Sequence, residues 1–236
     1  MRPGVTILPL PIEGEFEKGD NVADRICFAC AAQGLELLDD DVVVVTHKIV
    51  SKAEGRIAPM DQGDYETREA LIAKEGATIL RRRNDMVITR TRHGFVCASA
   101  GIDASNVQPG TVTLLPLDPD RSARSIRSRL KRLAGVDVSV IISDTFGRAW
   151  RVGQTNVAIG VAGMLPTINY KDTTDSFGRV LKVTNIAVAD EIAGAAELVM
   201  GKSEGIPVAI VRGAMVARGR GRARDLVRPA QDDLFL

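Results

Sequence analysis

Along this chain, short apolar runs rich in β-branched residues alternate with segments whose apolar positions recur every three or four residues, which predicts strands interleaved with helices. Thr6-Ile7-Leu8-Pro9-Leu10 predicts an opening strand, followed by a turn from Pro11 to Gly19. A helix comes next, with Val22, Ile26, Ala29 and Cys30 on one face, Asp20 as its cap and Gly34 as its stop. Val42-Val43-Val44-Val45 predicts a buried strand, and Asp64 to Lys74 a short solvated helix. Thr78-Ile79-Leu80 predicts a strand running into a turn at Arg81-Arg82-Arg83, with a further strand over Met86 to Thr89. Thr111 to Leu115 alternates as a strand, and Asp118-Pro119 opens a helix whose buried stripe is Ile126, Leu130 and Leu133. Beyond the centre of the chain, the pattern predicts a strand at Val180–Thr184 and a helix from about Ala187 to Met200. Val188, Ile192, Ala195 and Val199 face inward on that helix, Gly201 ends it, and a last buried strand covers Pro207–Val211.

Three segments add polar groups to this frame. From Val136 to Ala162 an apolar run ends at Asp144-Thr145-Phe146-Gly147-Arg148, and Arg151, Gln154 and the single tryptophan, Trp150, follow. A buried strand that delivers a carboxylate and a hydroxyl to its own end is a common way to build an active site. After Val42–Val45 comes Thr46 to Arg56, which holds His47, Lys48 and Lys52; such a segment is either an exposed loop or the rim of a site. Between His93 and Asn106 small residues let backbone approach a ligand, and Asp103 and Asn106 share one side of a turn. There they act as a metal and phosphate pair or as a simple Asx turn.

Composition narrows the classes. The 236 residues include 31 Lys and Arg against 30 Asp and Glu, so no global field recruits nucleic acid or a membrane surface. The arginine-rich helix after Pro119 lacks the interleaved aromatics that base stacking needs. No apolar run is long enough to cross a bilayer and no secretory signal opens the chain, so a cytoplasmic protein is expected. Cys27 and Cys30 spell C-x-x-C within a helical pattern, with no second pair to complete a zinc site, and read as small core residues. Gly201-Lys202-Ser203 imitates the end of a P-loop, but the first glycine of that motif would fall at Ala196, inside a helix. Arg218, Arg220, Arg222 and Arg224 alternate with small residues, as in a mobile basic tail or in backbone that wraps phosphates. No repeat, linker or compositional break divides residues 1–236, which predicts one catalytic unit with room for two lobes.

Asp103, Asp144 and the Thr145 hydroxyl are hard oxygen ligands suited to Mg²⁺ or Mn²⁺. Arg148, Arg151, Lys52 and the Gln154 amide can clamp phosphoryl oxygens, a chemistry that needs positioning and charge rather than a nucleophilic side chain. The residues alone therefore point to a metal-dependent enzyme acting on phosphorylated ligands.

Several motifs in order, Val45-Thr46-His47-Lys48-Ile49-Val50-Ser51-Lys52, His93-Gly94-Phe95-Val96-Cys97-Ala98, Gly101-Ile102-Asp103-Ala104-Ser105-Asn106, Ser143-Asp144-Thr145-Phe146-Gly147-Arg148, Gly153-Gln154-Thr155, Glu197 to Lys202 and the closing Asp233-Leu234-Phe235, resemble the coenzyme F420:L-glutamate ligase family. The resemblance implies a homodimeric α+β protein with mixed and antiparallel sheets and packed helices. It implies a GTP-dependent amide ligase that adds L-glutamate to coenzyme F420-0, and again to F420-1, with two Mg²⁺ or Mn²⁺ ions and K⁺. By position, Asp103 and Asp144 would hold metal and Thr145 would help with the second ion, with Asp103, Asp144 and Arg148 as the catalytic set. Glu13, Gly14, Glu15, Phe16, His47, Lys52, Asn106 and the segment Met200, Gly201, Lys202, Ser203, Glu204 and Gly205 would contact GTP. The chain departs from the family pattern at Glu13-Gly14, Ser99, Ala149 and Asn156, and Lys202 stands where some members carry an acidic or amide side chain near the second metal. A ligase for another carboxylate acceptor, or a non-catalytic nucleotide-binding module, are the alternatives. The nitroreductase-like domain of longer relatives is expected to be absent.

Overall fold

The computed structural model describes residues 4–61 and 63–234; Phe235, of the closing motif, lies outside them. In chain order the elements are β1 (Thr6–Leu10), α1 (Val22–Ala32), β2 (Val42–Thr46), α2 (His47–Ala53), β3 (Ile57–Pro59) and α3 (Tyr65–Lys74). Then come β4 (Thr78–Arg83), β5 (Met86–Arg90), β6 (Val96–Ala98), β7 (Thr111–Thr113), α4 (Pro119–Ala134), β8 (Ser139–Arg148) and β9 (Arg151–Ala162). The last are β10 (Ile168–Asn169), β11 (Asn185–Ile186), α5 (Val188–Met200) and β12 (Val208–Arg212). The α+β class with mixed and antiparallel sheets is as expected.

A five-stranded sheet in the order β1-β12-β2-β8-β9 carries the fold. Its one parallel pair is β2 with β8; the other neighbours are antiparallel. Val42 to Val45 and Val140 to Ile142 are fully buried, which is why these strands read as continuous apolar runs rather than alternating ones. Helices α4 and α5 pack on β9, and α1 packs on α4. Gly160 of β9 lets α4 come this close: a Cβ there would meet the Pro119 carbonyl oxygen at 2.5 Å. The chain between α2 and α4 folds into the β3–β7 pair, the antiparallel β4-β5-β6 sheet and two small apolar clusters apart from the main core.

Several local expectations are corrected. Asn21, not Asp20, caps α1, accepting from the backbone of Ala23 and Asp24, while Asp20 pairs with Arg25. The arginine triplet is not a turn but the end of β4, opposite Met86 to Ile88, and the chain reverses at Asn84 with φ 50°. Exposed charge suits such an edge strand, and Arg82 there meets Glu69 of α3. Leu133 is half exposed, and α5 buries Ala196 and Met200 rather than Ala195 and Val199. Val180–Thr184 forms no strand; the pairing falls instead to Ile168–Asn169 and Asn185–Ile186. The basic C-terminal arm is laid on the body. Arg218 binds Asp40 and Asp137, and Gly219 and Gly221 serve close packing, since a Cβ would meet Leu165 at 2.6 Å and Pro166 at 2.4 Å. Cys27 and Cys30 lie on α1 as expected, the Cys30 thiol pushed up to about 11, chiefly by burial. Among the described residues no helix is long and apolar enough to cross a membrane.

Candidate functional site

Parallel pairing sets the carboxyl ends of β2 and β8 side by side, with Thr46 opposite Ser143, so the next residues, His47 and Asp144, become neighbours. Thr46 to Ala53 is accordingly no exposed loop: the chain turns into α2 and buries His47, Ser51 and Lys52. His47 Nδ1 lies 3.3 Å from Ser51 Oγ, and His47 Nε2 lies 3.3 Å from Asp144 Oδ1. That second distance is within ion-pair range but poorly aligned, so Nε2 is buried without a hydrogen-bond partner.

Asp103 is brought in by a strained corner. Ser99, Ala100 and Gly101 all take positive φ, and Gly101 passes so near Leu115 that a Cβ would sit 2.7 Å from it. Backbone bonds with Thr113 in both directions then fix Asp103. Its Oδ1 accepts from the Ser105 N–H at 2.7 Å, an Asx turn, and its Oδ2 meets Lys48 Nζ at 2.8 Å. The Asx-turn reading of this segment is the one observed. Burial alone would raise the Asp103 carboxyl, but the Lys48 ammonium and the Ser105 bonds outweigh it and hold the group below the usual carboxylate range.

One ligand atom each from His47, Asp103 and Asp144 lies within 4.8 Å of the others, and among the described residues this is the one cluster able to hold a metal. The donor set fits a divalent ion: two carboxylates supply hard oxygens, and the orphaned Nε2 is the buried atom an ion would satisfy. The expected position of a second ion is built differently. Thr145 Oγ1 accepts from Lys202 Nζ at 2.6 Å and donates to Asn156 Oδ1 at 2.6 Å, while Asn156 Nδ2 donates to Glu197 Oε2 at 2.8 Å. Lys202 Nζ also meets Glu197 Oε1 at 2.8 Å.

Two clefts meet here. One, of about 420 Å³, is lined by the Gly14–Phe16 turn, Lys48, Lys52, Asn106, Asn156, Glu197 and the Met200–Ser203 segment with Gly205. The other, of about 330 Å³, is lined by Asp103, Ser105, Phe146, Gly147 and Gln154. Lys48, Asp144, Thr145 and Lys202 line both. The first turn is shaped by Arg25, which donates to the carbonyls of Glu13, Gly14 and Glu15 and lies 4.2 Å over the Phe16 ring. Lys52 Nζ reaches Glu15 at 2.5 Å, and Asn106 Nδ2 donates to the Lys202 carbonyl at 3.1 Å.

Most of the expected site residues are thus brought together. Glu13 and Glu204 line neither cleft, and the Glu204 carboxylate accepts from Ser203. His47 lies behind the first cleft, next to the aspartates, in the cluster able to hold a metal. Arg148 lines neither cleft: it is exposed at the tip of the β8–β9 hairpin, its guanidinium on the Val152 and Gly153 carbonyls. The strand runs on through Thr145 and Phe146 instead of stopping at Asp144, which carries Arg148 outward. Sequence reasoning named Lys48 only as part of a candidate rim and Asn156 only as a departure, and did not single out Arg25 or Glu197. The spacing of His47, Lys48 and Lys52 at the start of a helix was the available signal for the first.

The F420-0:Gamma-glutamyl ligase family profile matches residues 13–213. A protein of Methanopyrus kandleri named coenzyme F420:L-glutamate ligase is 40% identical, over 99% of this chain and 98% of its own. Proteins of the same name from Methanothermobacter thermautotrophicus and Methanocaldococcus jannaschii are 43% and 42% identical, over 92% and 84% of this chain and 93% and 85% of theirs.

Proposed function

Because the chain belongs to the F420-0:Gamma-glutamyl ligase family, we propose that it joins L-glutamate to the carboxylate end of coenzyme F420-0, and extends F420-1 likewise, at the expense of GTP. The observation that carries this reading is the wall shared by the two clefts. A nucleotide in one and a carboxylate acceptor in the other would meet at Asp144, Thr145, Lys48 and Lys202.

A carboxylate does not acylate an amine near neutral pH until one of its oxygens is made a leaving group. In the proposed sequence an acceptor carboxylate oxygen attacks the γ-phosphorus of GTP; the new O–P bond forms as the bond to GDP breaks. The amine of L-glutamate then attacks the acyl carbon, phosphate departs, and the amine loses its proton. Lys52, Lys48 and Lys202 supply positive charge along the triphosphate, and Asn106 fixes the segment after α5 through the Lys202 carbonyl. Asp103, Asp144 and His47 would hold a divalent ion, which supplies charge neutralisation at the transferring phosphoryl group. K⁺ stimulation and a homodimer belong to the same reading; the exposed apolar side chains Trp150, Val152, Phe177 and Val183 support the latter.

Incubation with F420-0, GTP, Mn²⁺ and L-glutamate, followed by mass spectrometry, tests the proposal: glutamyl-extended coenzyme and GDP should appear together. GDP release only with a different acid would reassign the acceptor, and no GDP with any acceptor would leave a binding module.

A further inference from the structure

We infer that the ammonium of Lys202 is a built-in cation, occupying an oxygen site formed by Thr145, Asn156 and Glu197, so that the catalytic centre binds one divalent ion fewer than this cluster would otherwise admit. Three elements converge on that ammonium: Thr145 from β8, Asn156 from β9 and Glu197 from α5. Its distances are 2.6 Å to Thr145 Oγ1, 2.8 Å to Glu197 Oε1 and 3.4 Å to Asn156 Oδ1. A hydroxyl, a carboxylate and an amide oxygen are the donors that a hard cation takes, and an ammonium has three hydrogens to direct at them.

The oxygens are aimed by their own bonds. Asn156 donates its amide hydrogen to the other Glu197 oxygen, which turns Oδ1 toward Thr145 and Lys202. Thr145 donates its proton to Asn156 Oδ1, leaving its lone pair to accept from the lysine. While the ammonium holds these three oxygens, they are not open to a metal ion. Backbone placement reinforces it: Gly201 ends α5, so Lys202 follows the carbonyl end of the helix, where the macrodipole favours positive charge. Asn106 anchors the Lys202 carbonyl as well.

The consequence is a positive charge that cannot dissociate, placed on the wall shared by both clefts. A metal ion at the same point would depend on free metal concentration; the lysine does not.

The inference rests on the proposed divalent ion only for the neighbouring His47–Asp103–Asp144 position, and its test separates the two. Mn²⁺ bound to the nucleotide-free full-length protein is counted by equilibrium dialysis and by the electron paramagnetic resonance signal of free Mn²⁺. Lys202→Gln removes the ammonium and offers a carbonyl oxygen of similar reach, so it should bind one Mn²⁺ more than the unaltered protein, whereas Lys202→Arg should bind no more. One ion in the unaltered protein and two in Lys202→Gln sustain both readings. None and one sustain the role of the lysine and remove the ion at the aspartates. Equal numbers in the two proteins, or two ions in the unaltered protein, overturn the inference. Should Lys202→Gln not fold, Lys202→Met, which also removes the ammonium and leaves the three oxygens in place, takes its part: one Mn²⁺ more than in the unaltered protein sustains the inference, and equal numbers overturn it.

Discussion

His47 Nε2 lies 3.3 Å from Asp144 Oδ1, a distance fixed by the parallel register that sets Thr46 opposite Ser143. Asp144 lies in β8 and His47 opens α2 directly after β2, and both are buried, so the imidazole and carboxylate are held side by side whether or not an ion is bound. Asp144→Asn keeps the shape and removes the charge. It should lower ligase turnover by about 10²-fold or more with an unchanged melting temperature. His47→Gln should weaken Mn²⁺ binding by about 10- to 100-fold, read by metal titration. Full activity of Asp144→Asn would remove this carboxylate from the centre.

Asp41, almost fully buried at the start of β2, accepts two bonds from Arg212 at the end of β12, at 2.9 and 2.8 Å. Truncating the arginine leaves a desolvated carboxylate with only the Leu38 N–H. Arg212→Met should therefore cost about 2–3 kcal/mol in urea denaturation, more than an exposed ion pair would. A loss within the range of surface pairs would show that water reaches Asp41.

Apolar periodicity made α4 and α5 legible, because each buries a face whose period is written in the sequence, while β2 and β12 were legible as short continuous apolar runs buried on both faces. The site was legible only in parts. Asp103, Asp144 and Asn106 announced themselves as polar residues ending apolar or small-residue stretches. His47 did not announce its neighbour, since its place beside Asp144 depends on strand order and register, which no local pattern encodes. The place of Arg148 was hidden for a related reason: the hairpin continues past Thr145, and pairing with β9 rather than composition decides where the strand ends. Lys202 could be questioned from the sequence, but besides nearby Glu197 its acceptors come from residues 46 and 57 positions away.

Gly160 lies under the first turn of α4, where an added Cβ would approach the Pro119 carbonyl oxygen at 2.5 Å and its carbon at 2.7 Å. Those atoms are backbone and cannot rotate aside. Gly160→Ala should push α4 away from β9 and destabilise the protein by roughly 1–3 kcal/mol, measured as a lowered urea midpoint. Unchanged stability would mean that the helix start is free to move.

His93 joins the β5–β6 region to the start of α4, its Nε2–H shared between the carbonyls of Pro116 and Leu117 at 3.0 and 3.1 Å. Its ring stacks on Phe95, and its Nδ1 is buried without a partner. Burial is the main cause that lowers its pKa below 6.5, with Arg92 adding to it, and the two carbonyls offset only part. The folded protein therefore resists a proton that the unfolded chain accepts. Stability from this group is fully present above pH 6.5 and is lost as pH falls through the lower folded value. Asp120 and Asp190, whose carboxyls burial raises, act in the opposite sense. They are unchanged in a His93 variant, so the histidine's part can be isolated by difference. His93→Gln keeps an amide donor for the carbonyls and cannot titrate. Between pH ~7 and ~5 its melting temperature should fall less than that of the unaltered protein, and parallel profiles would show that His93 takes up its proton inside the fold.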